Sequence, residues 1–253
     1  MSGFPASSPI TFVLIHGAWH YGHSWNNVRA YLEKAGHTVH TPTIPFEYKD
    51  GVKAGQTIHD LDDAVQGLLD YVEEHKLDQF VLVGHSWGGV VITSMATKIP
   101  QKIKRIVYQN AFVPSEGECQ FDLCPPFARV FYGGMAAQSP NKTFPCPFPV
   151  FRDAFMGEAT IEEAKAVHET LREQPIGLWE HPIKNTEEFF AMPPQIPRSA
   201  VFADGDTTVP FGTYEAQAVK LGILRFIKMA GSHEVMFTDP EGLAKSIVLA
   251  GRD

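Results

Sequence analysis

Three features of the sequence predict an α/β fold, a roughly six-stranded, mainly parallel sheet with helices on both faces. Short β-branched runs recur, each followed by a turn and a longer segment of helical periodicity. Several of these runs are apolar at nearly every position, as strands buried on both faces require. The rhythm breaks once, between Pro114 and Pro197, which reads as one insertion into an otherwise regular core.

The first run is Thr11–Ile15 (TFVLI). Ser24 can cap the next segment, in which Trp25, Val28 and Leu32 share a face and Gly36 supplies a stop. His37–Thr41 is a second, more polar strand. Thr57 is expected to open a long helix with Leu61, Val65, Leu68, Leu69 and Val72 on one side. Phe80–Val83 is the third strand, and a glycine-rich turn leads from it into a helix over Val90–Lys98. Arg105–Gln109, Ser199–Ala203 and Leu224–Lys228 read as the fourth, fifth and sixth strands. Asp239 as cap, with Pro240 at the first helical position, starts a last helix that ends near Ala250.

This divides the chain into a core, residues 1–113 and 198–253, and a cap, residues 114–197, inserted after the fourth core strand. Residues 111–160 hold 8 of the 18 Phe and 7 of the 19 Pro, a composition suited to roofing a pocket with apolar walls. One helix is clear within the cap: Thr160 and Glu163 form a capping box, followed by the stripe Ala164, Val167, Leu171. So long a stretch is rarely a plain loop, since loops beyond about 12–15 residues usually carry function or structure of their own.

Composition narrows the function. At 253 residues and 44% apolar the chain is too hydrophobic for disorder and long enough for one α/β domain with an insertion. Its 29 acidic and 21 basic residues, a formal charge of −8, argue against a nucleic-acid partner. No apolar run approaches the roughly 18–20 residues of a membrane helix, so no membrane partner is expected. Met1–Pro9 lacks the basic and apolar regions of a secretory leader, and Cys119, Cys124 and Cys146 have neither zinc nor disulfide-framework spacing. A cytoplasmic location is therefore expected. Oligomeric state is not legible, and a homodimer stays open.

The strongest chemical signal is Gly84-His85-Ser86-Trp87-Gly88, of the form G-x-S-x-G, directly after a buried strand and before a helix. A nucleophile thrown outward at such a turn sits in strained backbone, and glycines at −2 and +2 let strand and helix approach. The helix N-terminus then favours negative charge beside Ser86. A serine hydroxyl needs a base to become nucleophilic, and His233, on the loop after the last strand, is the candidate. The base needs a carboxylate to fix its tautomer. Asp206, four residues before Pro210, is preferred, with Asp204 as the alternative, while the end of the fourth strand reads Gln109-Asn110-Ala111 and offers none. An oxyanion hole calls for two backbone amides, Trp87 and Ala18, with Gly17 letting the main chain approach. His16, Gly17, Trp19, His20 and His85 are candidate pocket residues, though core packing explains them about as well.

With these pieces in order Ser86, Asp206, His233, the chain resembles an α/β-hydrolase. More narrowly it is similar to the branch containing plant methylesterases, plant hydroxynitrile lyases and small bacterial carboxylesterases. The segments carrying the likeness are Phe12–Trp25, Gly84–Gly89, Ala111–Pro114, Asp206–Pro210 and Gly231–Pro240. The resemblance implies a Ser–His–Asp triad, no metal and no organic cofactor. It leaves two chemistries: a serine hydrolase cleaving a carboxylic ester of a small to medium, apolar or aromatic substrate, or a cofactor-free lyase on the same triad. Lyases of the rubber-tree type carry Thr after the first-strand histidine and Lys after the catalytic one, where its charge helps cyanide leave. Here Gly17 and Glu234 stand there, which favours the ester and an acyl-enzyme on Ser86. A cofactor-independent oxygenase and a non-enzymatic receptor are the remaining readings.

Overall fold

The computed structural model describes residues 8–45, 60–191 and 194–253. Residues 1–7, most of the Met1–Pro9 stretch, and Thr57, the expected start of the second helix, lie outside these residues. Six strands form one sheet: β1 (Thr11–Ile15), β2 (Thr38–His40), β3 (Phe80–His85), β4 (Ile103–Gln109), β7 (Arg198–Ala203) and β8 (Arg225–Met229). Their spatial order is β2-β1-β3-β4-β7-β8, and all five pairings are parallel. A separate antiparallel pair, β5 (Thr143–Phe144) and β6 (Gln174–Pro175), lies between β4 and β7 in the chain.

Alternation along each strand builds the two faces. Phe12, Leu14, Val81, Val83, Val107 and Val201 face one way and pack against α1 (Asn26–Lys34) and the C-terminal helix Pro240–Gly251. Val13, Ile15, Leu82, Ile106 and Phe202 face the other and pack against α2 (Leu61–Glu74) and α3 (Gly88–Lys98). Both faces are covered, which is why β3 is buried at every position. The second apolar cluster continues into the insertion through Tyr132, Phe144, Phe151 and Trp179. The insertion therefore shares a core with the sheet.

The expected strands all form, with ends shifted by one or two residues where neighbouring ladders supply or withhold partners. Helix starts differ more. Ser24 caps nothing: it lies in the 3₁₀ turn Gly22–Trp25 that precedes α1, with its hydroxyl buried. Asp60 caps α2 through a reciprocal box with Asp63. The Thr160–Glu163 box and the Asp239 cap form as expected. Leu171 falls beyond its helix, which ends at His168, and still packs against the core. Among the described residues no helix is long and apolar enough to cross a membrane.

Because every strand runs the same way, the turns after β1, β3, β7 and β8 emerge on one edge of the sheet. The chain order reverses between β1 and β3, and α/β sheets offer a crevice at such a switch point.

Candidate active site

Ser86 stands in that crevice. Its φ of +54° is left-handed, an uncommon conformation for a residue with a side chain. The strain is held by the Ser86 amide donating to Gln109 O at 3.2 Å, and by Ser86 O accepting from Gly89 N at 2.9 Å and Phe112 N at 3.0 Å. The glycines are needed for close approach. A Cβ on Gly88 would lie 2.6 Å from His16 O, and one on Gly84 would lie 2.7 Å from the Ile92 side chain. A Cβ on Gly17 would lie 2.9 Å from Ser86 Cβ, so the turn after β1 presses directly on the serine.

His233 and Asp206 meet behind it. Nδ1 of His233 donates to Asp206 Oδ2 at 2.6 Å, with both side chains buried. Four more donors converge on the carboxylate: Tyr214 OH at 2.6 Å and Asn110 Nδ2 at 2.5 Å on Oδ2, and the Thr208 amide and hydroxyl at 2.8 and 2.6 Å on Oδ1. Burial alone would raise the Asp206 carboxyl, but the His233 charge and hydrogen bond, with those of Thr208 and Tyr214, hold it well below the ordinary range. Burial would likewise lower His233, and the Asp206 charge and hydrogen bond, aided by Glu234, outweigh it and leave the imidazole raised. The other acid, Asp204, is exposed. Ser86 Oγ and His233 Nε2 are not hydrogen-bonded, and Nε2 is buried without a partner among the described residues.

Ala18 and Trp87 offer amides that donate to no protein acceptor among the described residues. The histidines proposed for the pocket sit behind it. His16 donates Nδ1–H to Gly17 O at 2.8 Å while its Nε2 accepts from the Ile44 amide at 2.9 Å, and burial takes it down to about 3, a neutral ring bracing the turn. His85, also taken to about 3 by burial, donates Nε2–H to His233 O at 3.1 Å. His20 is buried against Glu234. Of the five candidate pocket residues only Trp19 lines the cavity beside Ser86. These histidines are buried in the core behind the cavity, each held through at least one ring nitrogen, while Nδ1 of His20 and of His85 finds no hydrogen-bond partner among the described residues.

The cavity itself has a volume of about 270 Å³ and walls of Trp19, Phe127, Phe131, Tyr132, Phe155 and Trp179. Trp19 is in contact with Tyr132, Phe155 and Trp179 at ring separations of 5.8, 5.7 and 5.4 Å. It also joins core to insertion: its amide donates to Gln174 Oε1, its indole to Phe144 O, and its carbonyl accepts from Arg172 N. Phe127 and Phe131 come from α4 (Pro126–Gln138), a helix the sequence pattern did not disclose because apolar side chains appear on its exposed side too. Asn110, Thr208 and Tyr214 were also missed. Asn110 occupies the strand-end slot where a carboxylate was sought, but no local signal marks Tyr214, which reaches Asp206 from the helix Thr213–Lys220.

The insertion also grips the loops that carry the pair. Phe155 O accepts from the Ser232 hydroxyl at 2.7 Å and from the Glu234 amide at 3.2 Å, and Glu158 accepts from the Ser232 amide at 2.9 Å. Elsewhere Asp60, Asp62 and His181 converge at the surface, where His181 pairs with the two carboxylates at 3.2 and 3.3 Å.

Known proteins share this arrangement of elements. The alpha/beta hydrolase family matches residues 12–246. A carbendazim hydrolyzing esterase from Nocardioides sp. (strain SG-4G) is 30% identical over 245 residues, 95% of this chain and 99% of its own length. An alpha-hydroxynitrile lyase from Arabidopsis thaliana is 33% identical over 105 residues, 41% of this chain and 40% of that one. A solved extracellular alpha/beta-hydrolase from a Paenibacillus species is described as sharing structural and functional homology with tobacco salicylic acid binding protein 2. It superposes with a TM-score of 0.88 at 33% identity, covering 97% of this chain and 100% of the other. The chain belongs to the alpha/beta hydrolase family and is an esterase-like hydrolase within it, similar to the branch that holds plant methylesterases and hydroxynitrile lyases.

Proposed function

We propose that the protein is a serine carboxylesterase acting on small to medium esters with an apolar or aromatic group, through an acyl-enzyme on Ser86. The observation that carries this is the buried 2.6 Å contact between His233 and Asp206 behind a serine held at φ +54° on an aromatic-walled cavity. Ser86 Oγ attacks the ester carbonyl as His233 Nε2 takes its proton, with Asp206 holding the ring through Nδ1 and stabilising the imidazolium. The missing Ser86–His233 hydrogen bond fits a free enzyme, in which such contacts are often loose before substrate arrives. The amides of Ala18 and Trp87 receive the oxyanion. A trans peptide points its N–H opposite its C=O, so His16, by holding Gly17 O, turns the Ala18 amide the other way. His233 then protonates the leaving alcohol and activates the water that releases the acid.

Residues 114–197 act as the cap that supplies the aromatic walls, over a core of residues 1–113 and 198–253. A cavity of about 270 Å³ lies just under the usual range for drug-sized ligands, which supports one ring-sized group rather than a long chain. Glu234, buried and ionised, supports hydrolysis over cyanohydrin cleavage, because a second anion opposes charge building on departing cyanide. The chemistry calls on a small-molecule ester and water, and on no nucleic acid, membrane or second copy of the chain. The free thiols of Cys119, Cys124 and Cys146 favour a reducing, cytoplasmic setting, although the Paenibacillus relative is described as extracellular; cell fractionation tests this.

The test is Ser86→Ala, assayed on p-nitrophenyl acetate, aromatic methyl esters and carbendazim, with mandelonitrile as the lyase control. Turnover should fall by about 10⁴-fold or more, and fluorophosphonate labelling should vanish. Retained hydrolysis, or faster cyanide release than ester cleavage, overturns the reading.

A further inference from the structure

Two buried carboxylates stand against His233, and the triad uses one. The second is Glu234, next in the chain, whose Oε1 accepts from His20 Nε2 at 3.1 Å with both side chains 2% exposed. An ionised carboxylate only accepts, so His20 presents an N–H. His20 comes from the turn after β1, so the pair ties that turn to the His233 loop. One ring nitrogen each of His233 and His85 and one Glu234 oxygen lie within 4.8 Å of one another. Glu234 Oε2 has no hydrogen-bond partner among the described residues.

The groups facing His233 can be named. Asp206 and Thr208 come from the loop after β7, His85 from the end of β3, and Glu234 from its own loop, with His20, from the turn after β1, against Glu234. From the insertion, Cys146 faces Glu234, and Glu158 is engaged with Ser232 and Thr238. Asp206, which takes five hydrogen bonds, orients the ring and has the larger effect on its charge, with Glu234 adding to it. Glu234 accepts one from His20, leaving an oxygen unshared.

We propose that Glu234, held by His20, is a positioning residue that raises the basicity of His233 through space, as a second carboxylate beside that of Asp206. The inference rests on the assignment of His233 as the base in the esterase reading. An opposite charge within about 4–6 Å favours the charged form of a group, so the imidazolium that forms as Ser86 is deprotonated gains from Glu234. Burial would raise Glu234 itself, but His20, through its charge and hydrogen bond, is the foremost of the neighbouring histidines that outweigh it and take the carboxyl down to about 2. The placement gives a buried carboxylate a role: it accepts from His20 on Oε1 and has a carboxylate oxygen within 4.8 Å of a ring nitrogen of His85 and of His233.

The test is Glu234→Gln, which keeps an acceptor for His20 and removes the charge, with Glu234→Met as a second variant of similar size. The kcat/KM profile on p-nitrophenyl acetate reports the pKa of the free-enzyme base. Its acid-limb midpoint should move down by about one pH unit in both variants, while the plateau falls by about tenfold or less as the base weakens. A plateau loss with the midpoint unmoved means that Glu234 is structural and overturns the proposal. The His233 imidazole is also titrated by NMR in the Ser86→Ala background, where the same downward shift is expected on adding Glu234→Gln. That readout needs no activity, so a failed esterase assignment and a failed role for Glu234 give different results. An unshifted His233 in the titration refutes the role whatever the kinetics.

Discussion

Replacing Asp206 by Asn tests the site where its geometry is most demanding. The aspartate has five donors and gives none back: His233, Tyr214 and Asn110 point at Oδ2, the Thr208 amide and hydroxyl at Oδ1. An asparagine must put its NH₂ at one of those places. At the Oδ1 position it confronts the Thr208 amide, which cannot turn. At the Oδ2 position it confronts Asn110 Nδ2 and forces His233 to accept at Nδ1, moving the ring proton to Nε2. A ring with its proton on Nε2 has no lone pair for Ser86, and loss of this tautomer costs on the order of 10⁴ in kcat in a Ser–His–Asp enzyme. The same conflict leaves one or two buried donors unsatisfied, each worth about 1–3 kcal/mol. At about 2–4 °C per kcal/mol for a chain approaching this size, Tm should fall by roughly 5–10 °C. Asp204→Asn is the control: exposed, with only its backbone amide engaged, it should change activity by less than about twofold and stability by under ~0.5 kcal/mol. Steady-state kinetics and thermal melts of both variants decide the matter. Asp206→Asn retaining a tenth of wild-type kcat, or Asp204→Asn losing more than it does, refutes the assignment.

If His233 is the base, as proposed, its protonation stops the reaction, so activity is present above its folded pKa and lost as pH falls through it; because that pKa is raised, the acid limb of kcat/KM should have its midpoint above 6.5. The lowered Asp206 and Glu234 act the opposite way on folding: they stabilise above the ordinary carboxylate range of about 4, and that contribution is lost as pH falls toward the folded values, which urea melts between pH 5 and 3 should register. Gly17→Ala and Gly88→Ala should separate. The new methyl of the first meets Ser86 Cβ at 2.9 Å and should cut kcat/KM by about 10²-fold by displacing the serine, while the second meets a backbone oxygen at 2.6 Å and should cost about 1–3 kcal/mol in melts. Phe127→Ala, at a side chain 68% exposed on the cavity rim, should leave Tm unchanged and raise KM for aromatic esters about fivefold, the worth of ~1 kcal/mol of apolar contact.

The parts of this molecule that were legible in sequence are those governed by local rules. Phe80–Val83 reads as a buried strand because every residue is apolar, and Ser86 follows from glycine spacing at a strand–helix junction. Asp239 and Thr160 were found as caps because a cap is a contact within three residues. What escaped depends on distant partners. Ser24 has the chemistry of a cap, yet the chain enters α1 through a 3₁₀ turn that buries it. His16, His20 and His85 lie beside the right motifs, and only the fold shows that they turn inward to Ile44, Glu234 and His233 O. Tyr214 reaches Asp206 only because the Thr213–Lys220 helix comes to lie beside the ends of β4 and β7. The cavity walls were anticipated as a surplus of phenylalanine between 111 and 160, but Trp19 from the core and Trp179 from beyond that window complete them.

The contacts between insertion and core bear on how such a site keeps its shape. The Ser86 backbone is held by the end of β4 and the segment after it, through Gln109 O and Phe112 N. The loop of His233 is not so placed: Phe155 O takes both the Ser232 hydroxyl and the Glu234 amide, and Glu158 takes the Ser232 amide. The Asp206 loop is touched as well, by Thr207 donating to Ala154 O at 3.2 Å. A shift of residues 154–158 that admits a substrate between Phe155 and Trp19 therefore also moves the backbone on either side of His233. Misplacing a reacting group by 1 Å costs about 10² in rate, so under the proposed assignment of His233 the segment that forms a wall of the cavity also bears on the geometry of the base. Substitutions at Phe155 and Glu158 should consequently change kcat as well as KM, whereas those at the Phe127 rim should change KM alone.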